Sequence, residues 1–141
     1  MMPYERFQAW QACDALALAV YHVTRSFPRS ELYGITSQAR RAAFSAAANI
    51  AEGSAKRGRA EFCRYLDIAM GSLSELSYAL RLAWKLEYLP EEQWRELDAL
   101  RNRAGRLTWK LYRAARAETR RQPPGTTDRL TAGVPTAAVD S

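Results

Sequence analysis

Apolar side chains return every three or four residues along most of this chain, and no stretch alternates at the two-residue period of a strand. Four segments carry that helical period. In the first, Trp10, Cys13, Ala17, Val20, Thr24 and Phe27 share a face until Pro28 stops the helix. After PRSELYG, a second helix is predicted from about Thr36 to Lys56, with Ala39, Ala42, Ala43, Ala46, Ile50 and Gly53 inward and Gly53 and Gly58 at its end. The third carries the strongest pattern, a strict four-three alternation of Phe62, Leu66, Ala69, Leu73, Leu76, Leu80 and Ala83. Leu89-Pro90-Glu91-Glu92 opens the fourth, with proline at the first helical position, two acids at the positive end of the dipole, and a seam of Leu97, Leu100, Ala104, Leu107, Leu111 and Ala115. The expectation is an all-α, up-down-up-down four-helix bundle over residues 1–118. From Thr119 the apolar period is lost among Pro, Gly and Thr, so residues 119–141 are expected to be a disordered tail.

Two of these helices are apolar on the side opposite their seam as well. On the second, Phe44, Ala47, Ala48, Ala51 and Ala55 lie behind the core face; on the third, Ile68, Gly71, Ala79, Leu82 and Leu86 do. A helix apolar all round is buried all round, which one bundle does not achieve for two adjacent helices. Self-association is therefore expected, with Phe44, Ala48, Ala51, Ile68, Gly71 and Leu82 as interface candidates. The plainer alternative is that alanine-rich helices tolerate exposed alanine. Glu75 interrupts the strip on the third helix, while Asn49 and Glu52, with Arg40 and Arg41 further back, border the second. A buried carboxylate needs a partner, so a structural network of Arg40, Arg41, Asn49, Glu52 and Glu75 is expected. An acid/base site there would lack a histidine and a second seam carboxylate.

Charge adds a second theme. The 141 residues carry a formal net charge of +6, and between Arg95 and Arg121 nine basic residues face three acidic ones, so that one segment holds the whole excess. Arg95, Arg106, Lys110, Arg113 and Arg120 project away from the leucine seam as a basic stripe, and Lys56, Arg57 and Arg59 form a second cluster in the turn between helices two and three. Such stripes suit phosphate backbones, because each contacted phosphate releases counterions. A solvated arginine-rich face is the competing reading. Chemistry of other kinds finds little support. Cys13 and Cys63 have no ligand at metal spacing, His22 faces outward without a partner, and no phosphate loop, nucleophile elbow or dinucleotide fingerprint is present. No metal, cofactor or catalysis is therefore expected. Trp10, Trp84, Trp94 and Trp109, with Tyr21, Tyr65 and Tyr112, are assigned mostly to packing near the seams. No apolar run is long enough for a membrane span, and MMPYERFQAW has no signal-peptide pattern, so a cytoplasmic location is expected.

The segment VYHVTRSFPRSELYGITSQARRAAFSAAANIAEGSAKRGRAEFCRYLDIAMGSLSELSYAL carries motifs in a recognisable order: FP, YG-x-x-x-Q-x-RRA, NIAEG, EF-x-x-x-L-x-IA and GS-x-x-EL. In these it resembles the four-helix-bundle proteins encoded in intervening sequences of bacterial 23S ribosomal RNA genes, over roughly residues 7 to 115. The resemblance implies a homopentameric ring of bundles without established catalysis. It also implies a fold relation to the accessory protein of diversity-generating retroelements, which binds nucleic acid and a reverse transcriptase. The matching positions are Gln38, Arg40, Arg41, Asn49, Glu52, Gly53, Glu61, Phe62, Gly71, Ser72, Glu75 and Leu76. One departs: Gly58 stands where the family often has a Ser or Thr cap, leaving half a capping box with Glu61. The leading functional expectation is a non-catalytic oligomer that contacts RNA or DNA backbones. The alternative is a protein-interaction scaffold or accessory subunit, for example of a reverse transcriptase.

Overall fold

The structure, a computed structural model, describes residues 1–121. Four helices account for most of them: α1 (Gln8–Val23), α2 (Ile35–Ser54), α3 (Arg59–Lys85) and α4 (Glu91–Arg121), with short 3-10 turns at Pro3–Arg6, Thr24–Ser26 and Arg29–Glu31. No strand occurs among the described residues. The helices pack as neighbours in a closed cycle, α1 on α2, α2 on α3, α3 on α4 and α4 on α1, around one core.

Each boundary has a local cause. Thr24 Oγ1 donates back to the carbonyls of Val20 and Tyr21, at 2.8 and 3.2 Å, which tightens the end of α1 before Pro28. The Glu31 carboxylate accepts the Ile35 amide at 3.1 Å and so satisfies a free donor at the start of α2. Gly58 opens α3 at φ +90°, a conformation that strains a side-chain-bearing residue. That explains the glycine in place of a Ser or Thr cap, and Glu61 pairs with Arg64 at 3.3 Å instead. α3 closes with Tyr88 N–H bonding Ala83 C=O and Glu87 N–H bonding Trp84 C=O, a Schellman arrangement. Glu87 takes the left-handed position there at φ 64°. Pro90 sits just before α4, one place earlier than expected, and its carbonyl accepts the Trp94 amide. α4 also continues to Arg121, three residues past the expected end of the bundle at 118. The rest of the expected tail lies outside the described residues.

Every seam residue predicted for α2 and α3 is buried. In α1 the inward face is Ala9, Cys13, Leu16 and Val20, so the seam passes through Leu16, while Trp10 and Ala17 lie at its edge. In α4, Leu97, Ala104 and Ala115 are buried, Leu100, Leu107 and Leu111 partly so, and Thr108 takes a fully buried place the apolar pattern does not reveal. Its hydroxyl is satisfied by the Ala104 carbonyl at 2.8 Å and faces Cys13 Sγ at 3.8 Å. Burial pushes the Cys13 thiol up to about 11, so this cysteine is packing material. Gly53 marks the tightest approach of α2 to α3: a Cβ there would lie 2.6 Å from Tyr65 Cβ and 3.1 Å from Phe62.

Candidate nucleic-acid interface and assembly face

α4 is 31 residues long, about 45 Å at the helical rise, and its outer side is the most cationic surface of the chain. From Ala99 to Ala117 it carries Arg101, Arg103, Arg106, Lys110, Arg113 and Arg116 and no carboxylate. Arg106, Lys110, Arg113 and Arg120 are exposed and have no acid within ion-pair distance among the described residues. Arg95 and Arg101 differ: Arg95 pairs with Glu91 one turn back at 3.2 Å, and Arg101, only partly exposed, pairs with Asp98 at 3.6 Å.

The turn cluster and the stripe meet. Arg59 reaches across to Glu118 on α4 at 2.7 Å, so the α2–α3 turn lies against the C-terminal part of α4. Both Arg59 and Arg116 act on Cys63; burial raises that thiol and the two guanidinium groups partly offset it. Lys56 and Arg57 are exposed in the same turn, with the Lys56 ammonium 5.6 Å from the Tyr65 ring centre. Between the turn and the N-terminal segment lies a cleft of about 400 Å³ that includes Phe7, Gly53, Lys56, Arg59 and Phe62. The Arg59–Glu118 pair thus links two sequence-distant basic clusters.

The expected polar network does not form within the chain. Arg40 turns toward α1, donating from Nε to Thr24 Oγ1 at 2.9 Å and lying 5.1 Å over the Tyr21 ring. Glu52 is exposed and accepts from Tyr65 OH at 3.3 Å. Asn49 donates to the Ser45 carbonyl and hydroxyl, and Ser45 in turn meets Ser72 on α3 at 2.8 Å. Of the expected set, Asn49 and Glu52 thus do take part in polar contacts between α2 and α3, Asn49 through Ser45 and Ser72 and Glu52 through Tyr65. Glu75 and Arg41 are both exposed and line a shared groove with Gln38 and Ser45, yet are not within ion-pair distance. The expectation assumed that an apolar setting along the helix means burial, but Glu75 and Arg41 are exposed among the described residues.

The back faces are open accordingly. Phe44 is 64% exposed, Tyr78 63% and Ile68 42%, while Ala48, Ala51 and Leu82 are partly covered. A groove of about 430 Å³ runs past Ile35, Tyr78, Ala79, Leu82 and Leu86, with Glu75 at its edge. A Cβ on Gly71 would meet nothing within 4 Å, so the single chain supplies no steric reason for a helix-interior glycine that costs about 1 kcal/mol relative to alanine.

Sequence reasoning misplaced one residue on α4. Trp109 is 50% exposed and stands among Arg106, Arg113 and Arg116, not on the seam, stacked on Tyr112 with ring centres 5.4 Å apart. Projection at 100° per residue places it there, because 106, 113 and 116 are its neighbours at three, four and seven positions. His22 is exposed, as expected. No helix among the described residues is long and apolar enough to cross a membrane, and they contain no cluster of potential metal ligands.

Comparison with curated proteins returns no match. Among solved structures, the chain is similar to a protein of unknown function from the S23 ribosomal protein family of Bacteroides thetaiotaomicron VPI-5482. The TM-score is 0.67 and the identity 22%, over 74% of this chain and 97% of that one. At that identity the likeness concerns the fold: a four-helix arrangement of almost the whole neighbour. The model of the 23S rRNA-intervening sequence protein family matches residues 5–110, from the first turn through the middle of α4, and by that match the chain belongs to the 23S rRNA-intervening sequence protein family.

Proposed function

We propose that this protein is a non-catalytic, cytoplasmic, self-assembling bundle that binds the phosphate backbone of RNA or DNA along the outer face of α4. The observation that carries the reading is the run from Ala99 to Ala117, six cations and no acid, of which all but Arg101, part-buried and paired with Asp98 at 3.6 Å, are exposed. Five of the six are arginines, whose planar guanidinium suits phosphate oxygens. The Lys56 to Arg59 turn extends the same surface.

Assembly rests on a separate observation, the open apolar face of α2 and α3. Phe44, Ile68, Tyr78 and Leu82, with a helix-interior glycine that nothing in the chain fills, suit close approach by a second copy. A pentameric ring is the assembly the family resemblance implies, and it would repeat the basic surface around an axis and multiply weak backbone contacts through avidity. Fluorescence anisotropy with a labelled, structured RNA, titrated from 50 to 200 mM salt, tests the binding reading. The expected result is a linear fall of log affinity with log salt. Salt-insensitive binding, or no binding at 50 mM, overturns it, whereas retention of a protein partner in high salt would favour the scaffold reading.

A further inference from the structure

Within the cationic face of α4, Trp109 has no structural reason to be where it is. Burying an indole is among the larger apolar gains available to a fold, yet half of this one faces solvent in a surface otherwise made of arginine and lysine. Its support is rigid. Tyr112, one turn on, lies nearly parallel to it at 17° and is partly buried against the core, and Arg116 Nη1 donates to the Tyr112 hydroxyl at 3.1 Å. The Trp84–Trp94 stack at the other end of α4 gives the contrast. There the rings lie 4.0 Å apart, both indoles are partly buried, and the Lys85 ammonium occupies Trp84 at 4.1 Å. No cation lies over Trp109 among the described residues, although Arg106 and Arg113 are its neighbours three and four positions away.

We infer that Trp109, backed by Tyr112, is a stacking platform for an unpaired nucleobase, held in register by phosphate contacts from Arg106, Lys110 and Arg113. The inference rests on the nucleic-acid reading above and sharpens it to single-stranded segments. Two observations select that occupant: the aromatic surface is half exposed, and exposed cations Arg106, Lys110 and Arg113 stand within four positions of it, the pairing that single-strand binders use to grip bases and backbone together. In a duplex the base faces are already stacked on one another, and a tryptophan on a helix flank meets only edges and sugars. Backbone contacts do not sense whether a base is paired, whereas the indole adds affinity for unpaired bases only.

The test measures anisotropy of the full chain with a labelled 12-nucleotide uridine RNA, an abasic strand of equal length and a 12-base-pair duplex. Trp109→Ala and Trp109→Leu are compared with Trp109→Phe and wild type. Both non-aromatic variants are expected to weaken the uridine strand by roughly fivefold or more. The abasic strand, the duplex and the salt slope should stay within about twofold, and Trp109→Phe should retain most of the affinity. Equal binding of the uridine strand by wild type and both non-aromatic variants overturns the platform and leaves the backbone reading standing. Failure of wild type to bind any of the three probes overturns both. A smaller oligomer for Trp109→Ala by light scattering would assign the indole to a protein contact and overturn the platform as well.

Discussion

The outer face of α2 and α3 and the outer face of α4 are both open to solvent, and they are opposite in kind. Phe44, Ile68, Tyr78, Leu82 and Leu86 make the first apolar, with Glu75 and Arg41 in its groove; the second is a row of guanidinium and ammonium groups around Trp109. Apolar surface gains by leaving water, so the first suits a dry, close-packed contact in which an unpaired charge is expensive. Cations stay hydrated and gain by displacing counterions from a polyanion, so the second suits a wet contact whose strength falls with salt. The proposed function thus assigns its two tasks to different helices, and a variant on one face should leave the other's behaviour alone.

The largest expected effect is on assembly. Phe44→Glu or Leu82→Glu would place an unpaired carboxylate in the apolar contact, costing on the order of 3–5 kcal/mol per interface, and light scattering should report monomers. An unchanged mass for both variants, or a monomeric wild type, would break the comparison at its apolar side. Glu75→Ala sharpens it. In a Phe44→Glu monomer Glu75 is exposed and without a cation in reach, so a thermal melt should move by less than about 0.5 kcal/mol. In the assembled wild type, where the proposed contact covers the groove, the cost should rise to on the order of 3 kcal/mol. Equal shifts in both backgrounds would remove Glu75 from the interface.

On the basic side, replacing Arg106, Lys110 and Arg113 together by Gln should weaken all nucleic-acid probes and flatten the salt slope by roughly 0.7–0.9 per lost contact. Oligomer mass and melting temperature should not change, since these side chains point away from the core. Equal slopes for wild type and triple variant would reduce the face to solvated charge. Glu118→Gln runs the other way: releasing Arg59 from its 2.7 Å pair should steepen the slope by about one contact per subunit. The smallest effect separates stability from both faces. Glu87 holds the left-handed position after α3, so Glu87→Gly should raise stability by about 0.5–1 kcal/mol in denaturant titrations, with binding and mass unchanged.

How much of this was legible in the sequence varied with the type of signal. The α2 and α3 seams were read residue for residue, because helical period and burial coincide on helices that pack on two neighbours. Through α1 and just beyond it the period picks out Cys13, Val20, Thr24 and Phe27, all buried, but also Trp10 and Ala17 in place of Leu16, and only the direction of approach of α2 and α4 selects among these. Trp109 was assigned to packing by residue type although its position in the helical projection placed it among arginines. Shared apolar surroundings point to a polar network, but Arg40 meets Thr24 in the turn after α1, sixteen residues away, and the Tyr21 ring on α1, contacts that no spacing rule indicates.

The sequence by itself determined the number of helices, the inward faces of α2 and α3 and the charge asymmetry between α4 and the rest, because period and composition are properties of one strand of chain read locally. Tertiary structure decided what those local faces meet. It brought the Lys56–Arg59 turn against α4 through Glu118, left Phe44 and Gly71 facing outward, turned Arg40 away from Glu75, and set Trp109 on Tyr112 with one side exposed. Those outcomes depend on helix crossing and on side chains far apart in sequence, and contacts of that kind exist only once the bundle has closed.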